Sequence, residues 1–368
     1  MTIKNVKLGI VHRVLTDYRV PFIDLLADRF PGGVQVAAGE ARPEEQIISG
    51  KPQKAGLFIL QNIHLMKNGL YLCHQRGLID WLEKFDPDVL IMEANPRYLA
   101  TPQTVRWMHQ RRRPVIGWGL GIPPASSGLR TGLRLTFLQQ FDAMLAYSRK
   151  GRQEYISAGI PAEKVFLASN AAAFKPKGSI PEHRSNFDKS PAVVLFVGRL
   201  QDRKRVDLLL EACARLDESI KPRVIIVGDG PERRSLEALA GRIYPQAEFT
   251  GDKRGDDLSD LFRQADLFVL PGTGGLALQQ ALSFALPAIA AEGDGTQADL
   301  VRPENGWLVT PGNLDSLVNA LQTALQDPSA LVLKGRESFR IVSDEVNLEC
   351  MADAFEQAVG FVLRKIVR

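Results

Sequence analysis

The chain has 368 residues, 45% hydrophobic and 24% charged, with a formal net charge of +4. That length exceeds one ordinary core and predicts two domains, and the composition excludes wholesale disorder. No apolar run reaches the roughly 18 residues that span a bilayer, the start lacks a secretory apolar core, and Cys73, Cys213 and Cys350 are too scattered for a disulfide framework or a thiolate zinc site. The expectation is a cytoplasmic protein without a structural metal.

The first half alternates short apolar runs with amphipathic stretches. Strands are predicted over Val6–Val14, Val34–Ala38, Gly56–Ile63, Val89–Glu93, Val115–Trp118, Ala143–Ser148 and Val165–Ala168. Their Val, Ile and Leu content predicts parallel strands buried on both faces. Helical periodicity fills Pro21–Phe30, Gly77–Phe85, Thr101–Arg112, Leu129–Phe141 and Gln153–Ala158. Residues 171–192 lose periodicity and read as a linker. A second alternation follows, with strands Val193–Val197, Val224–Val227, Glu248–Thr250, Leu267–Leu270 and Ala288–Ala291. Its helices are Arg205–Leu216, Pro231–Arg242, Leu258–Gln264, Gly275–Ala285 and Leu314–Gln326, and the tail Ser329–Arg368 is helical. Two doubly wound α/β domains result, 1–180 and 190–344.

Charge divides with the domains. Residues 1–170 hold 22 Lys and Arg against 14 Asp and Glu, and the remainder 24 against 28. A basic first half points to an anionic partner, either membrane headgroups or a phosphorylated acceptor. An unpatterned solvated face would give the same numbers. The basic stretches Arg106–Arg113 and Arg130–Arg134 are open to the same two readings. No aromatics interleave with a basic face, so nucleic-acid binding is not expected.

Three clusters carry chemistry in the second half. In Val194-Leu-Phe-Val-Gly-Arg-Leu-Gln-Asp-Arg-Lys, a buried strand runs into Gly198, and Arg199 and Lys204 flank the turn into a helix. Ligands of doubly wound sheets lie beyond the carboxyl ends of the strands, where helix N-termini favour anions. Two cations there suit a diphosphate, although a basic surface turn explains each residue taken alone. Val227-Gly-Asp-Gly-Pro permits a tight strand-to-helix turn but lacks the third glycine of a dinucleotide fingerprint. In Leu270-Pro-Gly-Thr-Gly-Gly-Leu, the glycines at 272, 274 and 275 let backbone amides approach a phosphate at a helix start.

In this order and spacing, the clusters resemble the family 4 glycosyltransferases, retaining enzymes of the GT-B architecture. Also matching are Phe249-Thr-Gly, Ala265-Asp266-Leu-Phe-Val-Leu-Pro271 and Asn305-Gly306 before Trp307. Weaker matches in the first half are Asp17-Tyr18-Arg19, Trp118-Gly119 and Ser169-Asn170. The resemblance implies two Rossmann-like domains facing a cleft, with a C-terminal helix, about 345–368, crossing back to the first. It makes Arg199 and Lys204 the groups that neutralise a donor diphosphate. Gly198, Gly272 and Thr273 join the donor site, Gly251 lies near the nucleoside, and Gly274, Gly275 and Leu276 offer amides to the phosphates. The implied substrate is a nucleotide sugar, with no metal or other cofactor, and the implied enzyme is a hexosyltransferase. The acceptor is a glycan or lipid-linked molecule of cell-surface polysaccharide or glycoconjugate synthesis. Peripheral contact of the basic domain with the inner membrane face follows from the charge reading.

The family's paired glutamates, counted back from Pro287, fall on Gly272 and Gln280. Gln280 retains hydrogen-bonding capacity for a ribose without the charge, and Leu120 stands where such enzymes often place a histidine. These departures favour the alternative, a catalytically silent GT-B module that binds nucleotide or glycan. A nucleotide-sugar epimerase fits the cluster order less well. On the acceptor side the candidates are His12, Asp17, Tyr18, Arg19 and Trp118, the last a stacking platform or a core residue.

Overall fold

The computed structural model describes residues 5–45, 47–66, 71–122, 128–187 and 190–366. The chain forms two compact units, Met1–Ala172 with Leu348–Arg368, and Ala173–Asn347.

Unit 1 is built from β1 (Leu8–Val14), α1 (Val20–Arg29), β2 (Val34–Gly39), β3 (Gly56–Leu65), β4 (Leu72–Arg76), α2 (Leu78–Phe85) and β5 (Val89–Glu93). It continues with α3 (Thr101–Gln110), β6 (Val115–Gly119), α4 (Gly128–Gln139), β7 (Ala143–Ala146), α5 (Arg149–Ser157) and β8 (Val165–Leu167). The strand order is β4-β3-β2-β1-β5-β6-β7-β8. β1 pairs in parallel with β2 on one side and β5 on the other, so the winding reverses there. That switch opens a crevice beyond the carboxyl ends of β1 and β5.

The expectation of parallel strands buried on both faces fails at β3 and β4. β3 is parallel to β2 but antiparallel to β4, and Ile59 on it is 61% exposed. Only residues 66–71 join the two strands, too short a connection for the crossover that parallel pairing requires. β4 escapes the sequence pattern because Cys-His-Gln-Arg gives it no apolar run. Its outer edge is occupied: Cys73 N donates to Arg97 O at 2.9 Å, and Leu99 N to Cys73 O at 2.9 Å. At the opposite edge, Arg152 Nε donates to Val165 O of β8 at 3.2 Å.

Unit 2 comprises β9 (Val193–Val197), α6 (Val206–Ala214), β10 (Arg223–Val227), α7 (Arg233–Ile243), β11 (Glu248–Gly251), α8 (Gly255–Gln264) and β12 (Leu267–Leu270). Then follow α9 (Leu276–Ser283), β13 (Ala288–Ala291), α10 (Thr296–Leu300), β14 (Gly306–Val309), α11 (Leu314–Gln326) and α12 (Pro328–Asp344). The sheet order β11-β10-β9-β12-β13-β14 is parallel throughout, with its switch between β9 and β12. The sequence pattern missed α10, which spans barely one turn, and β14, which opens on a glycine directly after the Asn305 turn. The Asn305-Gly306 motif has a structural duty here. Buried Asn305 donates to Leu300 O at 2.9 Å and accepts from Arg302 N at 2.7 Å, turning the chain into β14.

The last helix, α13 (Leu348–Ile366), belongs to unit 1. Phe355 meets Phe22 of α1 edge-on at 4.9 Å and Trp118 at 5.0 Å, and Arg29 pairs with Asp353 at 3.1 Å.

Within unit 2, Asp266 fastens the linker to the sheet. Its buried carboxylate accepts from Val193 N at 2.7 Å and from Arg184 Nε at 2.8 Å. Asp266→Ala strands a buried amide and leaves a guanidinium unpaired, and should cost about 2–3 kcal/mol in chemical denaturation. Asp266→Asn, which keeps one acceptor, should lose less; equal stability of all three proteins would remove this role.

Candidate active site

The loops that leave β9, β10 and β12 converge at the switch point of unit 2. Leu200 N donates to Asp229 O at 2.9 Å and Glu232 N to Leu200 O at 3.1 Å, joining the first two loops. A Cβ at Gly228 would overlap Gly198 O, so glycine is required for this approach. The loop after β12 meets the turn Asp202–Lys204 in the same way. Thr273 N donates to Arg203 O at 3.0 Å, and Lys204 Nζ donates to Thr273 O at 2.7 Å. Gln297 Nε2 of α10 holds the loop from the other side, donating to Gly274 O at 3.0 Å.

The structure therefore brings Gly198, Lys204, Gly272, Thr273 and Gly274 together. Burial, and secondarily the neighbouring Arg203 charge, pull the Lys204 ammonium down to about 8. α9 begins at the same loop with Gly275 as an N-cap that supplies no side-chain bond, so its first amides are left for solvent or an anion. Leu276 and Arg199 are exposed nearby in sequence. Gly251 closes β11, where its carbonyl accepts from Gly228 N at 2.8 Å.

The two positions of the missing glutamates differ in kind. Gly272 is buried against the Arg203–Lys204 backbone, and a Cβ there would overlap Arg203 O. No side chain of any type fits without displacing Lys204. Gln280 is half-buried on α9, while its neighbour Gln279 is fully buried and donates to Val346 O at 2.7 Å.

In unit 1 the candidates separate into two groups. His12 and Trp118 lie at the ends of β1 and β6, ring centroids 5.0 Å apart, and Trp118 also meets Tyr147 at 5.0 Å. Glu93, at the end of β5, stands 3.8 Å from His12 Nδ1 and accepts from Arg13 N at 2.6 Å. Burial opposes ionisation of this carboxyl, but His12 and the Arg13 amide outweigh it and hold Glu93 below the usual carboxylate range. Neither His12 Nε2 nor Trp118 Nε1 has a hydrogen-bond partner among the described residues. Trp118, Glu93, Asn95 and Tyr147 line a pocket of about 400 Å³ with Arg97 and Arg134.

Arg19 departs from its expected place on an acceptor surface. Its guanidinium is buried, donates to Ala171 O at 3.3 Å and to Asn170 Oδ1, and lies 5.1 Å from the Trp118 ring. It ties the end of unit 1 to its core, which also accounts for the Ser169-Asn170 motif. Asp17 is exposed and Tyr18 half-buried on the preceding turn, outside the pocket lining.

Of the basic stretches, Arg111 stacks on Trp107 at 3.7 Å and Arg113 pairs with Asp86, so part of that charge is engaged. The side chain of Arg130 lies outside those described. Glu93, Arg97 and Tyr147 escaped the sequence reading. The position of Glu93 as the last residue of a buried strand was the available signal. No group of three or more His, Cys, Asp or Glu side chains able to hold a metal occurs among the described residues. No described helix is long and apolar enough to cross a membrane.

The glycine contacts give a paired test. Gly272→Ala should cost about 1–3 kcal/mol through backbone displacement. Gly275→Ala, with nothing within 4 Å of its new Cβ, should stay within about 0.5 kcal/mol of wild type. Thermal denaturation checks both, and an equal response at the two positions would contradict the packing argument.

Residues 181–340 match the profile of the family described as Glycosyl transferases group 1. A GDP-mannose-dependent alpha-mannosyltransferase of Mycolicibacterium smegmatis is 38% identical over 266 residues, covering 67% of this chain and 67% of the relative. The sulfoquinovosyl transferase SQD2 of Arabidopsis thaliana is 31% identical over 210 residues, covering 53% of this chain but 40% of its own length. Among solved structures, the apo form of the lipopolysaccharide outer core galactosyltransferase WaaB superposes with a TM-score of 0.71 at 16% identity, covering 96% of this chain and 99% of that one. The last is a likeness of fold, and it extends over both α/β units. With a relative of this identity matched over two thirds of both chains, the protein belongs to the group 1 glycosyltransferases, family 4 enzymes of GT-B fold.

Proposed function

We propose that the protein moves a hexosyl group, with retention, from a nucleotide sugar bound by unit 2 to a hydroxyl of a glycan or lipid-linked acceptor bound by unit 1. The observation that carries this reading is the convergence of Lys204 and the α9 start on one loop at the β9–β12 switch. When the sugar–phosphate bond breaks, negative charge grows on the leaving diphosphate. An ammonium and fixed amide dipoles stabilise that charge without a metal. Arg199 adds a second cation from the preceding loop. Gln280 serves the ribose as a neutral hydrogen-bonding group. Acceptors from cell-surface polysaccharide or glycoconjugate synthesis fit this role, and the basic charge of the first half supports peripheral contact with an anionic membrane.

The silent-module reading retains one specific observation: Gly272 cannot carry a side chain, so the donor sugar lacks a carboxylate from that position. Donor consumption with a pool of acceptors decides between the two. Wild type should consume donor, Arg199→Ala should be impaired, and Gln280→Glu should change the donor KM more than kcat, since ribose is remote from the breaking bond. Tight donor binding with neither transfer nor hydrolysis, across the common nucleotide sugars, would establish the silent module.

Lys204→Ala and Arg199→Ala should each weaken nucleoside diphosphate binding about 10-fold or more relative to the bare nucleoside, as for loss of a charged hydrogen bond of about 1.5–3 kcal/mol. Equal losses for both ligands would remove these residues from the phosphate site. The depressed Lys204 sets a pH window. Below pH 8 the ammonium is present and diphosphate binds fully; above it, binding must draw a proton and weakens. Isothermal titration should show affinity declining through about pH 8, and Lys204→Arg should flatten that decline.

A further inference from the structure

We propose that Gln297 is a positioning residue for the transfer reaction: from the single turn of α10 it holds the Gly274 carbonyl, and so aims the Gly275 amide at the leaving diphosphate. Its part in the reaction rests on the transferase reading. Its part in binding needs only that unit 2 takes a nucleoside diphosphate.

Gln297 is 3% exposed, and its Nε2 donates to Gly274 O at 3.0 Å. A carbonyl only accepts, so this bond fixes which end of the side-chain amide faces the loop. In a trans peptide the C=O and the following N–H point in opposite directions. Securing Gly274 O towards α10 therefore turns the Gly275 N–H away from α10, at the point where α9 begins. The preceding peptide is secured in the same way, since Lys204 Nζ donates to Thr273 O at 2.7 Å. Gly274 between them has a φ of +123°, and a Cβ there would overlap Lys204 Nζ. Two adjacent peptides of a glycine loop, the least restrained kind of backbone, are thus each held by a side chain from another element. An anion at the α9 start meets an amide whose direction is already set, as stabilisation of a growing charge requires.

α10 has only five residues, yet both of its ends are tied. Asp294 Oδ1 accepts from Thr296 N at 3.1 Å and from Thr296 Oγ1 at 2.6 Å, and Arg302 donates to Asp299 O at 2.9 Å. Gln297 Oε1 is buried without a hydrogen-bond partner among the described residues. It lies against Gly293, where an added Cβ would come within 2.7 Å of it. An orphaned buried acceptor is destabilising. An apolar side chain of the same size would fill the space without that cost, so packing does not account for an amide at this position. Its donation to Gly274 O does.

The full-length protein is titrated calorimetrically with GDP, UDP, ADP and their nucleosides, and its melting temperature is recorded. Gln297→Met, close in size, removes the donor together with the orphaned Oε1. It should melt within about 2 °C of wild type, yet bind the preferred diphosphate about 5-fold more weakly or worse, with the nucleoside unchanged. The three atoms nearest a Cβ at Gly293 all belong to the Gln297 side chain. Gly293→Ala should therefore displace that side chain alone and give the same selective loss, which keeps the test open if the methionine variant unfolds. In turnover with the nucleotide sugar that wild type consumes fastest, kcat should fall in both variants, because the aimed amide matters most as the diphosphate gains charge. Equal losses for nucleoside and diphosphate, diphosphate affinity unchanged in both variants, or wild type that binds none of the three diphosphates would each overturn the proposal. If the transferase reading alone fails, wild type will consume no donor while the selective binding losses remain. If only the positioning role fails, donor consumption remains and those losses are absent.

Discussion

Unit 2 depends on backbone meeting backbone at the β9–β12 switch. Gly228 lies on Gly198 O, and Gly272 lies on the Arg203–Lys204 turn, both at separations that exclude a Cβ. Everything chemical in this unit follows from those approaches. They half-bury Lys204, they place its ammonium on Thr273 O, and they start α9 beside it. Burial lowers the ammonium's proton affinity because few opposing charges surround it.

Unit 1 buries charge in two different ways. Arg19 is enclosed by aromatic rings, the Ala171 carbonyl and the Asn170 side chain, so its guanidinium acts as a structural tie. Glu93 is stabilised as an anion yet keeps contact with the pocket. Arg19 lies over the Trp118 ring and Glu93 pairs with Trp118 in the β5–β6 register, while His12, Tyr147 and Phe355 pack against the indole. Trp118 is therefore a core residue, 1% exposed, that borders the pocket.

Most of the fold was legible because Val, Ile and Leu runs alternate with amphipathic helices at unambiguous periods. The hairpin partner β4 was not, since its buried face carries Cys73 and Gln75 in place of an aliphatic run. α10, barely one turn long, was too short to show periodicity. The loops after β9, β10 and β12 could be read because glycine, cation and strand end occur together in sequence. The unit 1 pocket could not, because Glu93, Trp118 and Arg134 come from three separate elements and only the sheet order makes them neighbours. Arg19 looked like an accessible cation for the same reason: its partners, Asn170 and Ala171, lie about 150 residues away.

The covered margins of the eight-stranded sheet bear on how the chain behaves at high concentration. An open strand edge is a template for pairing with another molecule, and long sheets invite such assembly. Here residues 97–99 pair with Cys73 on the outer side of β4, and Arg152 occupies a carbonyl of β8, itself three residues long. Neither margin presents a continuous ladder to a second copy. The arrangement protects a broad sheet from edge-to-edge aggregation with ordinary loop and side-chain hydrogen bonds.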